Sequence, residues 1–260
     1  MTIGKIMLHY QPRQDLLNGK TILITGATDG IGQEAALTYA RFGASVILLG
    51  RNPQKLAAIK QEIQDVTGST SESYLIDLLT ATPDDCQAIA DDIAKQHPYL
   101  DGVLHSAGLL GNIAPISEQP AQLWHDVMQV NVNAGFMLTQ ALLPLLEKAP
   151  HASLIFTSSS VGKQGRANWG VYAVSKFATE GLMQVLADEY QGTGLRVNCI
   201  NPGRTRTAMR AGAAPGEDPM TLKTPADIMP TYLYLMGDDS VDQTGTSVDA
   251  QPNLKPIKAE

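Results

Sequence analysis

Tyr172 and Lys176 are the residues of this chain best suited to moving a proton. They stand four apart in WGVYAVSKFATEGLMQVLADEY, a stretch with helical periodicity. That spacing puts both side chains on one helix face, one turn apart. A free phenol is a poor acid at neutral pH, with a reference pKa near ~10. An ammonium held at about 5 Å, with an effective dielectric of about 20, favours the phenolate by roughly 3 kcal/mol, or about two pKa units. Such a phenol can give its proton to a carbonyl oxygen or take one from an alcohol. The pair alone is weak support, because a solvated helix face carries Tyr-x-x-x-Lys by chance.

The elements upstream change that weighting. TILITGATDGIG spans residues 21 to 32. Thr21 to Thr25 is an apolar, β-branched run of strand length, followed by Gly26, Gly30 and Gly32 and then by the helical pattern QEAALTYARFGA. Strand, glycine turn and helix together present backbone N–H groups and a helix N-terminus to a pyrophosphate. The spacing is G-x-x-x-G-x-G, which departs from the G-x-G-x-x-G fingerprint. A second strand, Ser45 to Gly50, leads straight into Arg51. NAD-binding sites place an acidic residue there for the ribose 2′-hydroxyl. A guanidinium instead grips a 2′-phosphate with two parallel bonds, which predicts NADP(H) over NAD(H). Asp29, inside the glycine turn, argues mildly the other way.

Further strands are predicted at Glu72 to Asp77, Asp101 to His105, Ala152 to Thr157, Leu195 to Asn201 and, shorter, Thr246 to Val248. Helical patterns fill the gaps, including a long one from about Ala121 to Lys148, bent or broken near Pro144. Near-continuous apolar strands separated by helices imply an α/β fold: a single Rossmann-like domain with a parallel sheet of about seven strands and helices on both faces. Residues 1–17 read as an irregular N-terminal arm, with Met7 a second candidate start, and residues 18–260 as the dinucleotide-binding oxidoreductase domain. Residues 204–224 have little periodicity and follow the sixth strand at the ligand-binding edge of the sheet, which predicts a mobile substrate loop.

The 260 residues are 43% hydrophobic, enough for a sizeable core, with a net charge of −7. No basic stripe invites nucleic acid, no apolar run approaches the ~18 residues of a membrane span, and the start lacks a signal-peptide pattern. Cys86 and Cys199 are far apart, read as reduced thiols of a cytoplasmic protein, and no metal-ligand spacing is present.

From Asn18 to Asp249 the chain resembles the short-chain dehydrogenase/reductase family, its motifs recurring in family order. TGATDGIG matches the glycine motif, bringing Thr28, Asp29 and Ile31 beside the glycines as cofactor contacts. Asp77, with Leu78, matches the position after the third strand that contacts adenine. HSAG (105 to 108) matches the NAG turn, making Ser106, Ala107 and Gly108 cofactor-facing, with Ser106 in place of the family's asparagine. Asn131 in NVNAGF matches the asparagine of the long helix, ahead of Asn133. Ser159 in SSSVG is preferred over Ser158 and Ser160, because thirteen residues to Tyr172 is the family spacing. PGRTRT (202 to 207) matches the segment around the nicotinamide, with Pro202, Gly203, Thr205 and Thr207 as contacts. HYQPRQDLL and SSSVGKQGRANWG are similar to a bacterial branch of the family.

The resemblance implies a catalytic set of Asn131, Ser159, Tyr172 and Lys176. Ser159 would hold the substrate oxygen and Tyr172 transfer the proton. Lys176 would bind the nicotinamide ribose and lower the tyrosine pKa, and Asn131 would hold a relay water. Leu109, Leu110, Ile113, Trp169 and Met209 suggest apolar walls for a small ketone, aldehyde or secondary alcohol. Arg204 and Arg206 could grip an acidic group or the cofactor phosphates, or face water. A 3-oxoacyl thioester reductase and an idle dinucleotide sensor are the alternatives; an epimerase would need more than the 59 residues that follow Asn201. Family assembly implies a homodimer, with a tetramer open, formed through the long helix and the Tyr172 helix. Phe136, Met137, Met183 and Leu186 are its candidate contact residues, and equally candidates for the core.

Overall fold

The computed structural model describes residues 10–252. Its strands are β1 (Thr21–Thr25), β2 (Ser45–Gly50), β3 (Glu72–Leu75), β4 (Gly102–His105), β5 (Ala152–Thr157), β6 (Leu195–Asn201) and β7 (Ser247–Asp249). They form one sheet in the order β3-β2-β1-β4-β5-β6-β7, with every neighbouring pair parallel. The chain moves outward from β1 to β3, then crosses back to β4 and outward to β7. The reversal between β1 and β4 opens a crevice at the carboxyl ends of the strands, where ligands bind in such sheets.

Among the described residues eight α-helices complete the fold: α1 (Gly30–Arg41), α2 (Pro53–Thr67), α3 (Pro83–Gln96), α4 (Ala121–Met128), α5 (Ala134–Leu146), α6 (Gly170–Glu189), α7 (Ala208–Ala213) and α8 (Pro225–Met236). The two-residue period of the strands sorts the core into two layers. Ile22 and Ile24 face α1, α2 and α8, while Leu23 faces the layer holding α3, α5 and α6. Cys86 and Cys199 are buried free thiols in the second layer. No helix among the described residues is long and apolar enough to cross a membrane.

Several expectations are corrected. Strand three ends at Leu75 rather than Asp77, and the last strand runs from Ser247 to Asp249. The long helix is interrupted at Gln129–Asn133, a π-helical turn, rather than at Pro144. Pro144 lies inside α5, close to its C-terminal end, where it removes one backbone bond without ending the helix. The turn at Asn131 serves that residue's own bonds, described below. Met183 and Leu186 are core residues, 1% and 6% exposed, whereas Phe136 is 47% exposed. Helix α6 carries apolar residues on more than one face, so periodicity could not tell its inner from its outer side.

The described part of the N-terminal arm is irregular but docked. Leu16 and Leu17 are buried, and Tyr10 packs edge-on against Tyr234 while its hydroxyl donates to Asp239 at 2.7 Å. Met7 and the last eight residues lie outside the described residues. The segment 204–224 holds more structure than its sequence pattern predicts. It contains α7 and a short 3-10 turn, Pro219–Thr221. Glu217 ties it together, accepting from Arg204 at 2.8 Å and Arg210 at 2.5 Å. The Arg210 guanidinium holds the Glu217 carboxyl below the usual carboxylate range. Arg206 is spent on the carbonyls of Pro219 and Leu222. Arg204 and Arg206 therefore serve the segment's own folding.

Candidate active site

A cleft of about 440 Å³ runs across the carboxyl ends of the strands, and the glycine turn forms its floor. Gly26 has φ +66° and presses on the next turn: a Cβ there would come within 2.8 Å of the Ala107 backbone. A Cβ on Gly32 would lie 2.3 Å from the Gly26 carbonyl oxygen. Any side chain would therefore lift the loop from the sheet. Helices α2, α3 and α8 are capped by the side chains of Asn52, Thr82 and Thr224. Helix α1 differs: Asp29 at its N-cap makes no capping bond, and no acidic residue stands in its first turn. Its free N–H groups and positive dipole end open on the cleft beside Gly30 and Ile31. These features fit an anionic pyrophosphate.

Every cofactor-facing residue named from the sequence lines this cleft. Thr28, Asp29 and Arg51 are at one end with Asp77 and Leu78; Ser106, Ala107 and Gly108 are in the middle; Pro202, Gly203, Thr205 and Thr207 are opposite. Arg51 is exposed. The HSAG turn is braced by Thr25, which was missed: its Oγ1 accepts from the N–H of Ser106 and of Ala107, each at 3.1 Å. Ser106, standing where the family has asparagine, is thus held by its own backbone N–H. A threonine closing an apolar strand was the available signal. Gln251 was also missed. Its amide donates to the carbonyls of Pro202 (2.8 Å) and Arg204 (3.1 Å), pinning the segment around Thr205 from the far end of the sheet.

At the other end of the cleft lie Ser159, Tyr172 and Lys176, with Leu109, Leu110, Trp169 and Met209 as apolar walls; Ile113 is outside the lining. The three neighbouring serines separate clearly. Ser158 and Ser159 both line the cleft, but Ser158 is buried and its hydroxyl donates to the buried carboxylate of Glu180, whereas Ser159 stands at the start of a short turn; Ser160 does not line the cleft. Tyr172 is 8% exposed and packs with Trp169 and Val161. The Lys176 ammonium sits 5.5 Å from the Tyr172 ring centroid and donates to the Thr157 carbonyl at 2.7 Å.

The electrostatics correct the sequence expectation. Burial pushes the Tyr172 phenol up to about 12, with the Ser159 hydroxyl pulling the other way. Burial lowers Lys176 to about 8, opposed by Cys199 and Glu180. Loss of solvent penalises both charged forms, and burial is the largest influence on each. The resting tyrosine is a protonated donor.

Asn131 lies behind the main cleft. Its Nδ2 donates to the Leu109 carbonyl and to Ser175 Oγ, both at 2.9 Å, and its Oδ1 accepts from Leu109 N at 2.7 Å. The π-helical turn lets one side chain bridge the loop after β4 to α6. Asn131, Lys176, Thr157 and Thr179 border a second cavity of about 20 Å³, roomy enough for one water. Asn133 is exposed and donates to Gln129 instead. His105 is buried, bonded to Thr139 at 2.9 Å and stacked on Phe156, a structural position. No cluster of His, Cys, Asp and Glu suited to a metal occurs among the described residues.

A glycine turn under an uncapped helix, with a buried Tyr-Lys pair across the same cleft, is the arrangement implied by the motif order. The family model described as short chain dehydrogenase matches residues 20–218, and the chain belongs to this family of oxidoreductases. Among its relatives is the uncharacterized oxidoreductase YciK of Escherichia coli (strain K12). The two are 68% identical over 249 residues, covering 96% of this chain and 98% of the relative. A short chain dehydrogenase of E. coli CFT073, solved in complex with NADPH, is 68% identical, with a TM-score of 0.92 over 93% of this chain and 100% of that one. A short chain dehydrogenase of Shigella flexneri 2a, solved in complex with NADP, is 67% identical, with a TM-score of 0.91 over 92% of this chain and 100% of that one.

Proposed function

We propose that the protein transfers a hydride between NADP(H) and a carbonyl or secondary alcohol of a small, mostly apolar substrate. The observation that carries this reading is one cleft with an anion-binding glycine turn and Arg51 at one end and Ser159, Tyr172 and Lys176 at the other. The NADPH and NADP complexes of relatives 68% and 67% identical support the choice of the phosphorylated cofactor. Nicotinamide, when bound, supplies the hydride chemistry. Gly26, Gly30, Gly32 and the first turn of α1 hold the pyrophosphate, and Arg51 pairs with the 2′-phosphate.

Each catalytic residue then has a distinct task. Ser159 hydrogen-bonds the substrate oxygen and keeps it within reach of the phenol. Tyr172, protonated at rest, donates to that oxygen in reduction or accepts from it in oxidation. The Lys176 ammonium stabilises the phenolate formed at that moment and bonds ribose hydroxyls. Asn131 fixes the loop after β4 against α6 and borders the water-sized cavity beside Lys176, a route by which Tyr172 is reprotonated. Leu109, Leu110, Trp169 and Met209 favour an apolar substrate body. The segment 204–224 moves as a substrate loop, closing over that body and excluding water.

Assembly follows from the outer faces of α5 and α6. Phe136, Val174, Phe177 and Val185 are 42–54% exposed. Packing these faces against a second copy about a two-fold axis gives a homodimer. The catalytic reading is tested by an NADPH-oxidation screen over apolar ketones, aldehydes, quinones and 3-oxoacyl esters. Turnover of apolar carbonyls supports it. Activity confined to 3-oxoacyl thioesters overturns the substrate class, and binding without turnover of any carbonyl returns the protein to an idle sensor.

A further inference from the structure

We propose that Lys55 is a specificity-determining residue for the phosphorylated cofactor and that it acts by neutralising Asp29; this rests on the reading of NADP(H) as the cofactor. The adenosine end of the cleft carries contradictory charges. Arg51 attracts a 2′-phosphate, while Asp29 repels one, and both line the same end. Asp29 is not remote from Arg51. The loop that carries it lies on the end of β2: Ala27 N donates to the Leu49 carbonyl at 3.2 Å. A Cβ on Gly50 would come within 2.9 Å of Thr28 Cγ2, so the loop packs closely on the end of β2.

Lys55 resolves the contradiction. Its Nζ meets Asp29 Oδ2 at 2.9 Å. Local structure fixes where the lysine starts: Asn52, the residue after Arg51, caps α2 by accepting from Lys55 N at 2.9 Å. The side chain then reaches back from the first turn of α2 to the glycine turn. Paired at 2.9 Å and held outside the cleft lining, Lys55 cancels Asp29 and leaves Arg51 unopposed; without Lys55, Asp29 opposes Arg51, and without Asp29 nothing holds Lys55 toward the cleft. A phosphate dianion gains from the first arrangement and little from the second. Both side chains are more than half exposed, 55% for Lys55 and 66% for Asp29. An ion pair that open to solvent contributes little to folding, so its consequence falls on the ligand.

The test is a double-mutant cycle on the full chain, with NADPH and NADH dissociation constants read by fluorescence titration at fixed ionic strength. Lys55→Ala is expected to weaken NADPH roughly tenfold, the scale of a charge interaction over a few ångströms at a screened surface. NADH should change less than about twofold, which also reports that the site is intact. Asp29→Asn should leave NADPH binding equal or tighter. In the Asp29→Asn background, Lys55→Ala should cost less than about twofold. An equal NADPH loss in both backgrounds overturns the proposal, because Lys55 would then act on the ligand without Asp29. No loss in either background overturns it as well. The cofactor reading is judged separately: wild-type protein that binds NADH as tightly as NADPH, with the ratio unmoved by Arg51→Ala, removes that reading whatever the cycle gives.

Discussion

The two ends of the cleft solve opposite problems. Around Tyr172 the site is buried and wired to the backbone. Lys176 is 4% exposed, bonded to the Thr157 carbonyl, and Asn131 spends its amide on Leu109 and Ser175. Around Arg51 the site is open, and its order comes from charge: Arg51 is exposed and the Asp29–Lys55 pair is more than half exposed. Burial at the first end sets proton affinities and fixes geometry, so one lost atom there should stop chemistry. At the second end solvent screens each charge, so substitutions should shift cofactor choice by modest factors.

The sharpest way to break this contrast is Tyr172→Phe. Turnover should fall about a thousandfold with NADPH affinity unchanged, because only the transferable proton is removed. A variant retaining more than a few per cent of the rate would deny Tyr172 the acid/base role. Lys176→Met should follow, losing about a hundredfold in turnover and weakening NADPH as well, since one ammonium serves both phenolate and ribose. Burial lowers this lysine to about 8, so its charge is present below that pH and lost as pH rises through it. NADPH affinity of the wild type should decline through the same interval, and the Lys176→Met profile should lack the break.

At the open end, Arg51→Ala should cut the NADPH-over-NADH preference about tenfold and leave turnover with saturating NADPH nearly intact, read from paired titrations. A last effect, on stability and not on turnover or cofactor choice, concerns His105 under the catalytic end. Burial lowers its pKa from 6.5 to about 4. Between those values the unfolded chain binds a proton that the folded one refuses. Its stability contribution is therefore present above pH 6.5 and lost as pH falls toward 4, by up to about 3 kcal/mol. Melting temperatures of wild type and His105→Gln should converge across that interval.

What the sequence revealed divides along the same line. The glycine turn, the Tyr172–Lys176 spacing and the strand–helix alternation are local patterns, so each was readable without knowing what packs nearby. Preferring Ser159 over its neighbours rested on the family's thirteen-residue spacing to Tyr172. The bonds that hold the site were not readable, because they join distant residues: Thr25 to Ser106 and Ala107, Gln251 to Pro202, Asn131 to Leu109 and Ser175. Lys55 was invisible for the same reason, since it meets Asp29 only once the glycine turn lies on β2. The upward push on the Tyr172 phenol was not readable, because spacing shows the ammonium but not the burial. Pro144 drew attention as a helix breaker, while the actual irregularity sits where Asn131 needs it.

Hydride transfer itself is tested most directly by isotope. NADPH carrying deuterium at both nicotinamide C4 positions would be incubated with the protein and a carbonyl that it turns over in the screen. One deuterium should appear on the carbinol carbon for each NADP formed, in wild type, and at a rate about a thousandfold lower in Tyr172→Phe. Oxidation of the cofactor with no deuterium in the product would contradict the assignment.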